Sequence, residues 1–230
     1  MDYIINGIIE ALKLLVSFNR ELYEIIFLSV FVSSTATLIS SIIFIPLGLY
    51  LGIKNFKGKK LFSRLLYTLM SIPSVVVGLL VAILLSRRGP LGFLELLYTP
   101  TAMIIAQSLL VTPLSLGLSY NLSKNRGKKI ERVGITLGAR GVKIIFLLIR
   151  ELKIDLFINL VTVFSRAISE VGAVMIVGGN IKNRTRVITT SIAMFNSMGN
   201  YSTAIALGLV LLAISFIINS LIYSYHQEDY

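Results

Sequence analysis

Two charges stand in a stretch that should hold none. Arg166 and Glu170 lie four residues apart within residues 156–179, a run otherwise dominated by apolar and small side chains. Charges inside lipid are costly unless paired or open to water, and positions i and i+4 share one helix face. Thr162, Ser165, Ser169 and Ala173 fall on that same face, with Gly172 beside it. The spacing predicts a polar, small stripe turned to a bundle interior, a partner or an aqueous path. Two readings stand side by side: a pair that locks helices together, and a pair that serves a translocation pathway or its gate. Well inside the apolar runs Glu170 is the lone carboxylate, too little for a proton relay. Other chemistry has no foothold. The sequence has no cysteine, and its one histidine, His226, sits in the C-terminal tail. It contains no Gly-x-x-x-x-Gly-Lys-Ser/Thr loop to cradle a nucleotide, no metal-ligand cluster and no nucleophile–base pair. The expectation is a chain that is not an enzyme, with no catalytic residue, cofactor or metal of its own.

The second conspicuous stretch, residues 121–155, is the longest interruption of the apolar pattern. Lys124, Arg126, Lys128, Lys129, Arg132, Arg140, Lys143, Arg150 and Lys153 crowd it. Ile130, Val133 and Leu137, then Val142, Ile145, Phe146 and Ile149, repeat at helical spacing and predict two short amphipathic helices. Gly138 and Gly141 should break the chain between them. Two short helices in a basic loop form a surface on which another protein can push. Arg132, Val133, Gly134, Thr136, Leu137, Gly138, Ala139 and Arg140 are its expected centre.

These features must be held by a membrane domain. The 230 residues are 55% hydrophobic and 14% charged, with mean hydropathy +0.84, and several runs approach the ~20 residues that cross a bilayer. The fold class expected is an all-α integral membrane protein, a single transmembrane domain over residues 1–230. About five transmembrane helices are predicted, over residues 22–51, 65–85 (broken by Pro73), 100–120, 156–179 and 201–224. Residues 1–20, with Ile4, Ile5, Ile8, Ile9, Leu12, Leu15 and Val16 at helical spacing, predict an amphipathic helix on the membrane surface. Residues 87–99 read as a loop or a shallow helix, and residues 180–200 as a loop. The net charge of +11 resides in loops, which argues for membrane topology and against nucleic acid. Loops 54–64 and 121–155 hold fourteen of the twenty-two cations. The positive-inside tendency makes both cytoplasmic, with the N-terminus outside and the C-terminus inside.

Short motifs then carry a resemblance. Thr136-Leu-Gly-Ala139 within a helix–Gly–helix loop resembles the cytoplasmic coupling loop of ABC importer permeases. That family's pattern is Glu-Ala-Ala, three residues, Gly, nine residues, Ile-x-Leu-Pro. Aligned on Gly138, this sequence has Arg132, Val133 and Gly134 first and Leu148, Arg150 and Glu151 last, with Glu131 one position early. The glycine matches; the Glu and the Leu-Pro do not. Ile45-Pro-Leu-Gly48, Ile72-Pro-Ser-Val-Val-Val-Gly-Leu79, Leu85-Ser-Arg-Arg-Gly-Pro-Leu-Gly92, Thr99-Pro-Thr-Ala-Met-Ile-Ile-Ala-Gln107 and Arg166-Ala-Ile-Ser-Glu-Val-Gly-Ala-Val-Met-Ile-Val-Gly-Gly-Asn-Ile181 are similar to the molybdate/tungstate branch, most of all to tungstate-type permeases. The resemblance covers residues 25–223. It implies a type I importer fold in the cell membrane and a second, identical permease copy. It also implies two cytoplasmic ATPase subunits that hold ATP and Mg, and an extracellular or periplasmic solute-binding protein that delivers the oxyanion. Molybdate or sulfate is the alternative cargo. An ion-coupled secondary transporter is the rival from another class; it would need ion sites or an internal repeat, and the sequence has neither. A scaffold that merely recruits a cytosolic partner would leave the polar stripe unexplained.

Overall fold

The computed structural model describes residues 19–227 together with residues 8, 9, 12, 13, 16 and 17. Of the amphipathic segment expected over residues 1–20, Ile8, Ile9, Leu12 and Val16 are helical and exposed; the rest of that expectation lies outside the described residues. Ten α-helices follow in order: α1 Arg20–Ile53, α2 Lys59–Met70, α3 Ser74–Leu85, α4 Pro100–Leu122, α5 Lys128–Thr136, α6 Val142–Glu151, α7 Lys153–Ile168, α8 Gly172–Gly178, α9 Ile188–Ser197 and α10 Tyr201–Gln227. Among the described residues no strand occurs.

Helix α1 starts where the Asn19 side chain accepts from the Leu22 N–H at 3.2 Å, satisfying one of the four orphan donors of a helix start. Its 34 residues make a rod of about 51 Å, longer than the ~30 Å of hydrocarbon. Its main partner is α4, which Thr99 caps by accepting from Ala102 N–H, with Pro100 at the first position where its missing N–H costs nothing. The two helices touch backbone to backbone. A Cβ on Gly48 would sit 2.7 Å from the Leu116 carbonyl oxygen, and one on Gly52 would sit 2.7 Å from that of Tyr120. Ser40 and Thr112 meet hydroxyl to hydroxyl at 3.2 Å, and Ser123 donates to the Leu49 carbonyl at 2.7 Å. Small residues permit this approach in lipid, where packing rather than water exclusion drives association.

Two of the expected spans are not straight. The 65–85 span is two helices, α2 and α3, set at 89°. Pro73 sits at the break in extended backbone: it lacks the N–H a helix needs and pushes the residue before it out of helical conformation. Pro46 and Pro113, by contrast, lie inside continuous α1 and α4. The 156–179 span is α7 and α8, bent by 56°. Here neither a proline nor a glycine pair makes the break. Glu170 makes it, turning its carboxylate to accept from the Ala173 N–H at 3.2 Å while its own carbonyl accepts from the Thr189 hydroxyl at 2.7 Å. Among the described residues three helices are long and apolar enough to cross a membrane: α1, α4 with its continuation, and α10. Counting each bent pair as one span gives up to five.

Two loops also differ from expectation. Residues 121–155 form two short helices, as the spacing predicted, but no loop leads into them, because α4 runs through a π-helical turn, Ser123–Gly127, straight into α5. Residues 180–200 contain α9, which is seated by the Ile188 N–H donating to Ser29 on α1 at 2.7 Å. Residues 87–99 hold a single 3-10 turn, Gly92–Leu94. The central core joins Val32 of α1, Val81 and Leu85 of α3, Ala102, Met103 and Ala106 of α4, and Ala173, Val174 and Val177 of α8.

Candidate functional site

Helices α5 and α6 form the first candidate site. Between them Gly138 (φ +84°) and Gly141 (φ +59°) adopt left-handed backbone, which a side chain resists; that conformation, not crowding, demands glycine, because a Cβ at either position would meet nothing within 4 Å. At Gly134 the reason is contact: a Cβ there would lie 2.8 Å from Leu147. Helix α6 is anchored through buried Ile144 and Leu148, which join Leu49 and Ile53 of α1 and Leu152 and Leu156 beyond. The anchoring face is therefore centred on Ile144 and Leu148. Ile145 and Ile149 are only partly buried against it, whereas Val142 and Phe146, which the spacing grouped with them, point outward.

What faces outward is an apolar crest. Leu137 is 81% exposed, Val142 71%, Phe146 69% and Val133 59%. Arg132 and Arg140 are exposed beside it, and Ala139 is half-buried, its N–H donating to the Gly134 carbonyl at 2.8 Å. The Thr136 hydroxyl is engaged by the Val133 carbonyl at 2.8 Å. An exposed apolar patch of this kind, rimmed by cations, is a contact surface for a protein or a membrane. The unit is tied to the membrane helices at both ends. Its N-terminal side continues α4 through the π-helical turn, its C-terminal side passes through Leu152 into α7, and Arg126 clasps Asp155 across the two at 2.9 Å.

The second candidate site lies at the far end of α7. Arg166 donates to Glu170 at 2.9 Å; the Glu170 side chain is 2% exposed and that of Arg166 is 43% exposed. The carboxylate thus has both oxygens occupied, one by the guanidinium and one by the start of α8, while half of the arginine faces outward. The expected stripe is shorter than its spacing suggested. Thr162 and Ser169 spend their hydroxyls on the carbonyls of Ile158 and Ser165 in their own helix, and Ser165 is half-buried. The bend carries Ala173 off the stripe and onto α3, where a Cβ on Gly78 would sit 2.6 Å from its Cα. Gly172 packs on the same helix, its added Cβ 2.7 Å from Val75 and 3.0 Å from the Ser74 hydroxyl. The break of one bent pair therefore rests on the break of the other.

Sequence reasoning missed two members of this hub. Gln107 of α4 donates to the Ala167 carbonyl at 3.1 Å, and its Oε1 is buried without a partner; a lone amide in an apolar run was its signal. Thr189 had none, since it meets Glu170 from nineteen residues away in a stretch read as loop. Among the described residues no three His, Cys, Asp or Glu side chains gather as a metal ion requires.

Comparison with known proteins adds to this geometry. Residues 44–227 match the family described as binding-protein-dependent transport system inner membrane component. The chain is 70% identical over 228 residues to the tungstate uptake system permease protein TupB of Peptoclostridium acidaminophilum, covering 99% of this chain and 100% of that one. It is 36% identical to the protein of the same name from Campylobacter jejuni, with 95% and 92% covered. It is 38% identical to a probable anion ABC transporter permease of Haloferax volcanii, with 87% and 88% covered.

Proposed function

The chain belongs to the family of binding-protein-dependent transport inner membrane components, and from that premise we propose that it carries tungstate across the cell membrane as the permease of an ATP-driven importer. One observation carries the cargo: the near full-length 70% identity to a tungstate uptake permease. As a membrane component of this family, the chain works with an ATPase and a solute-binding protein. In the reading proposed here, two copies of the chain enclose the pathway, and two ATPase subunits, which hold ATP and Mg, seat on the crests formed by Leu137, Val142 and Phe146. A binding protein delivers the anion at the opposite end.

The connectivity of α5 and α6 supports the coupling role. When ATP draws the ATPases together, each presses on a crest that is anchored on α1 and joined without a loop to α4 and α7. Force arriving there passes through Leu152 into α7 and along it to the α7–α8 bend, where Arg166 and Glu170 sit. The bundle then passes between two rigid arrangements, with the ATPase supplying the difference in free energy. Arg132, Val133, Gly134, Thr136, Gly138, Ala139 and Arg140 complete the docking unit in this scheme. Thr162, Ser165, Ser169 and Gly172 flank the gate.

The cations support an orientation with the N-terminus outside and the C-terminus in the cytoplasm. Those of loops 54–64 and 121–155 converge at one end, with Lys59 and Lys124 stacked on the same Tyr120 ring at 5.6 and 5.9 Å. Lys182 and Arg186 gather elsewhere, around Glu21 at 2.7 and 2.9 Å.

The test is uptake into vesicles holding the chain, its ATPase and its binding protein. ATP-dependent accumulation of tungstate, in preference to molybdate, is the expected result. Preference for molybdate would overturn the cargo, and uptake indifferent to ATP would overturn the importer.

A further inference from the structure

The end of the bundle that carries the two basic loops has a feature the transport scheme leaves unused. Lys59, at the start of α2, bends back to donate to the carbonyls of Gly52 at 2.7 Å and Lys54 at 2.6 Å. Its ammonium also lies over the rings of Phe56 (6.0 Å) and Tyr120 (5.6 Å). Lys124 approaches the same Tyr120 ring from the π-helical turn, at 5.9 Å, and Lys54 covers Tyr50 at 5.7 Å. The charges that act on Lys59 are first Lys128 and Lys124, which repel it, and then Glu131, which attracts it. Among the described residues none of Lys54, Lys59, Lys124 and Lys128 makes an ion pair. Two ammonium groups therefore share the Tyr120 ring, a third covers Tyr50, and Lys128 adds to the repulsion that Glu131 opposes. Such a cluster repels itself unless an anion joins it.

The surroundings say which anion. The same level of the bundle carries the rings of Phe56, Phe62 and Tyr120 packed edge to face at 5.9 and 5.6 Å, and the exposed rings of Tyr50 and Tyr67. Aromatic side chains at one level mark the headgroup zone of a bilayer. Helix α2 is amphipathic, with Lys59, Lys60 and Arg64 beside Leu61, Leu65 and Leu69, which are 61%, 55% and 47% exposed. Cations next to outward leucines fit a lipid surface, where the stem stays in the acyl boundary and the ammonium reaches the phosphates. The crest of Leu137, Val142 and Phe146 is built differently: among the described residues no cation stands over its Phe146 ring.

We propose that Lys59 and Lys124, which share the Tyr120 ring, with Lys54 over Tyr50 and the neighbouring Lys128, seat the phosphate of an acidic phospholipid from the cytoplasmic leaflet between α1, α2 and the π-helical turn. Lys59 is held by its two carbonyls and fixes the site. Lys54 and Lys124, both exposed, close on the headgroup. The site is independent of the cargo.

The permease–ATPase complex is purified in detergent micelles containing equal phosphatidylglycerol and phosphatidylcholine, and the retained lipid is counted by native mass spectrometry. The wild-type complex is expected to retain phosphatidylglycerol selectively. Lys54→Gln with Lys124→Gln is expected to hold it about thirtyfold less tightly, the effect of removing two cations near an acidic surface. Lys54→Arg with Lys124→Arg is expected to restore it. Equal retention by the glutamine variant overturns the proposal, as does displacement of the lipid by millimolar inorganic phosphate, which would mark a site for free anions. Loss of the ATPase from the glutamine variant, with lipid still bound to the permease, would assign the lysines to the protein partner and also overturns it. Should that variant fail to assemble, the wild-type complex decides alone: absence of any preference for the acidic lipid sinks the inference.

Discussion

The Arg166–Glu170 pair is unequal, and the inequality is measurable. Glu170 is buried to 2% side-chain exposure while Arg166 keeps 43%, so removing one partner is not equivalent to removing the other. Arg166→Ala leaves a carboxylate buried with no cation, a situation that costs about 3–5 kcal/mol. Glu170→Ala leaves an arginine that turns toward the exposed side, plus an unpaired Ala173 N–H, and is expected to cost about 1–3 kcal/mol. Thermal unfolding of the detergent-solubilised complex should rank Arg166→Ala as the more damaging. The reverse order would mean that the arginine, not the carboxylate, is the desolvated member. Glu170→Gln keeps an acceptor for Ala173 and is expected to fall between wild type and Glu170→Ala. The pairing itself was legible from a spacing of four. Its contact with the start of α8 was not, because that contact depends on where α7 stops, and the Glu170 carbonyl beyond that stop meets Thr189, whose helix carried no clear period.

At the scale of elements, the glycines at 138 and 141 announced the joint between α5 and α6, since positive φ is a property sequence displays openly. Pro73 announced a break as well, although nothing in its neighbours fixed an angle of 89°. The inward face of α6 was harder to read. Val142, Ile144, Ile145, Phe146, Leu148 and Ile149 surround most of a short helix, and periodicity alone cannot tell which of them meets α1. Helix α9 was hidden by its flanks, since Arg184, Arg186 and Asn200 look like a solvated connection and its ten residues are few. The outward crest gives this scale its prediction. Leu137→Glu and Phe146→Glu place charges on the proposed ATPase docking surface, on side chains 81% and 69% exposed. The permease should fold normally and lose ATPase binding by tenfold or more, about 1.4 kcal/mol for each factor of ten, as read by co-purification and by ATP-dependent uptake. Unchanged binding would remove the crest from the interface.

For the molecule as a whole, the most extensive joint is the seam of α1 on α4. Gly48→Ala would drive a methyl group to 2.7 Å from a backbone oxygen, and the helices must separate to admit it, at about 1–3 kcal/mol. A lowered unfolding temperature of the complex is expected, whereas Gly138→Ala, with open space around it, should incur only backbone strain of about 1–2 kcal/mol. The π-helical turn at Ser123–Gly127 has a different consequence, one of phase. A π turn holds one residue more than an α turn, so it takes up a surplus residue within a single turn and leaves the helices on either side in phase. It works like slack taken up in one link, which preserves the azimuth at which the crest leaves the bundle. Deleting Asn125, which is exposed, should close the turn to ordinary α geometry without rotating Leu137, whereas deleting exposed Arg132, within regular α5, should swing Leu137 about 100° around the helix axis. The bundle would then be intact and its handle would point the wrong way.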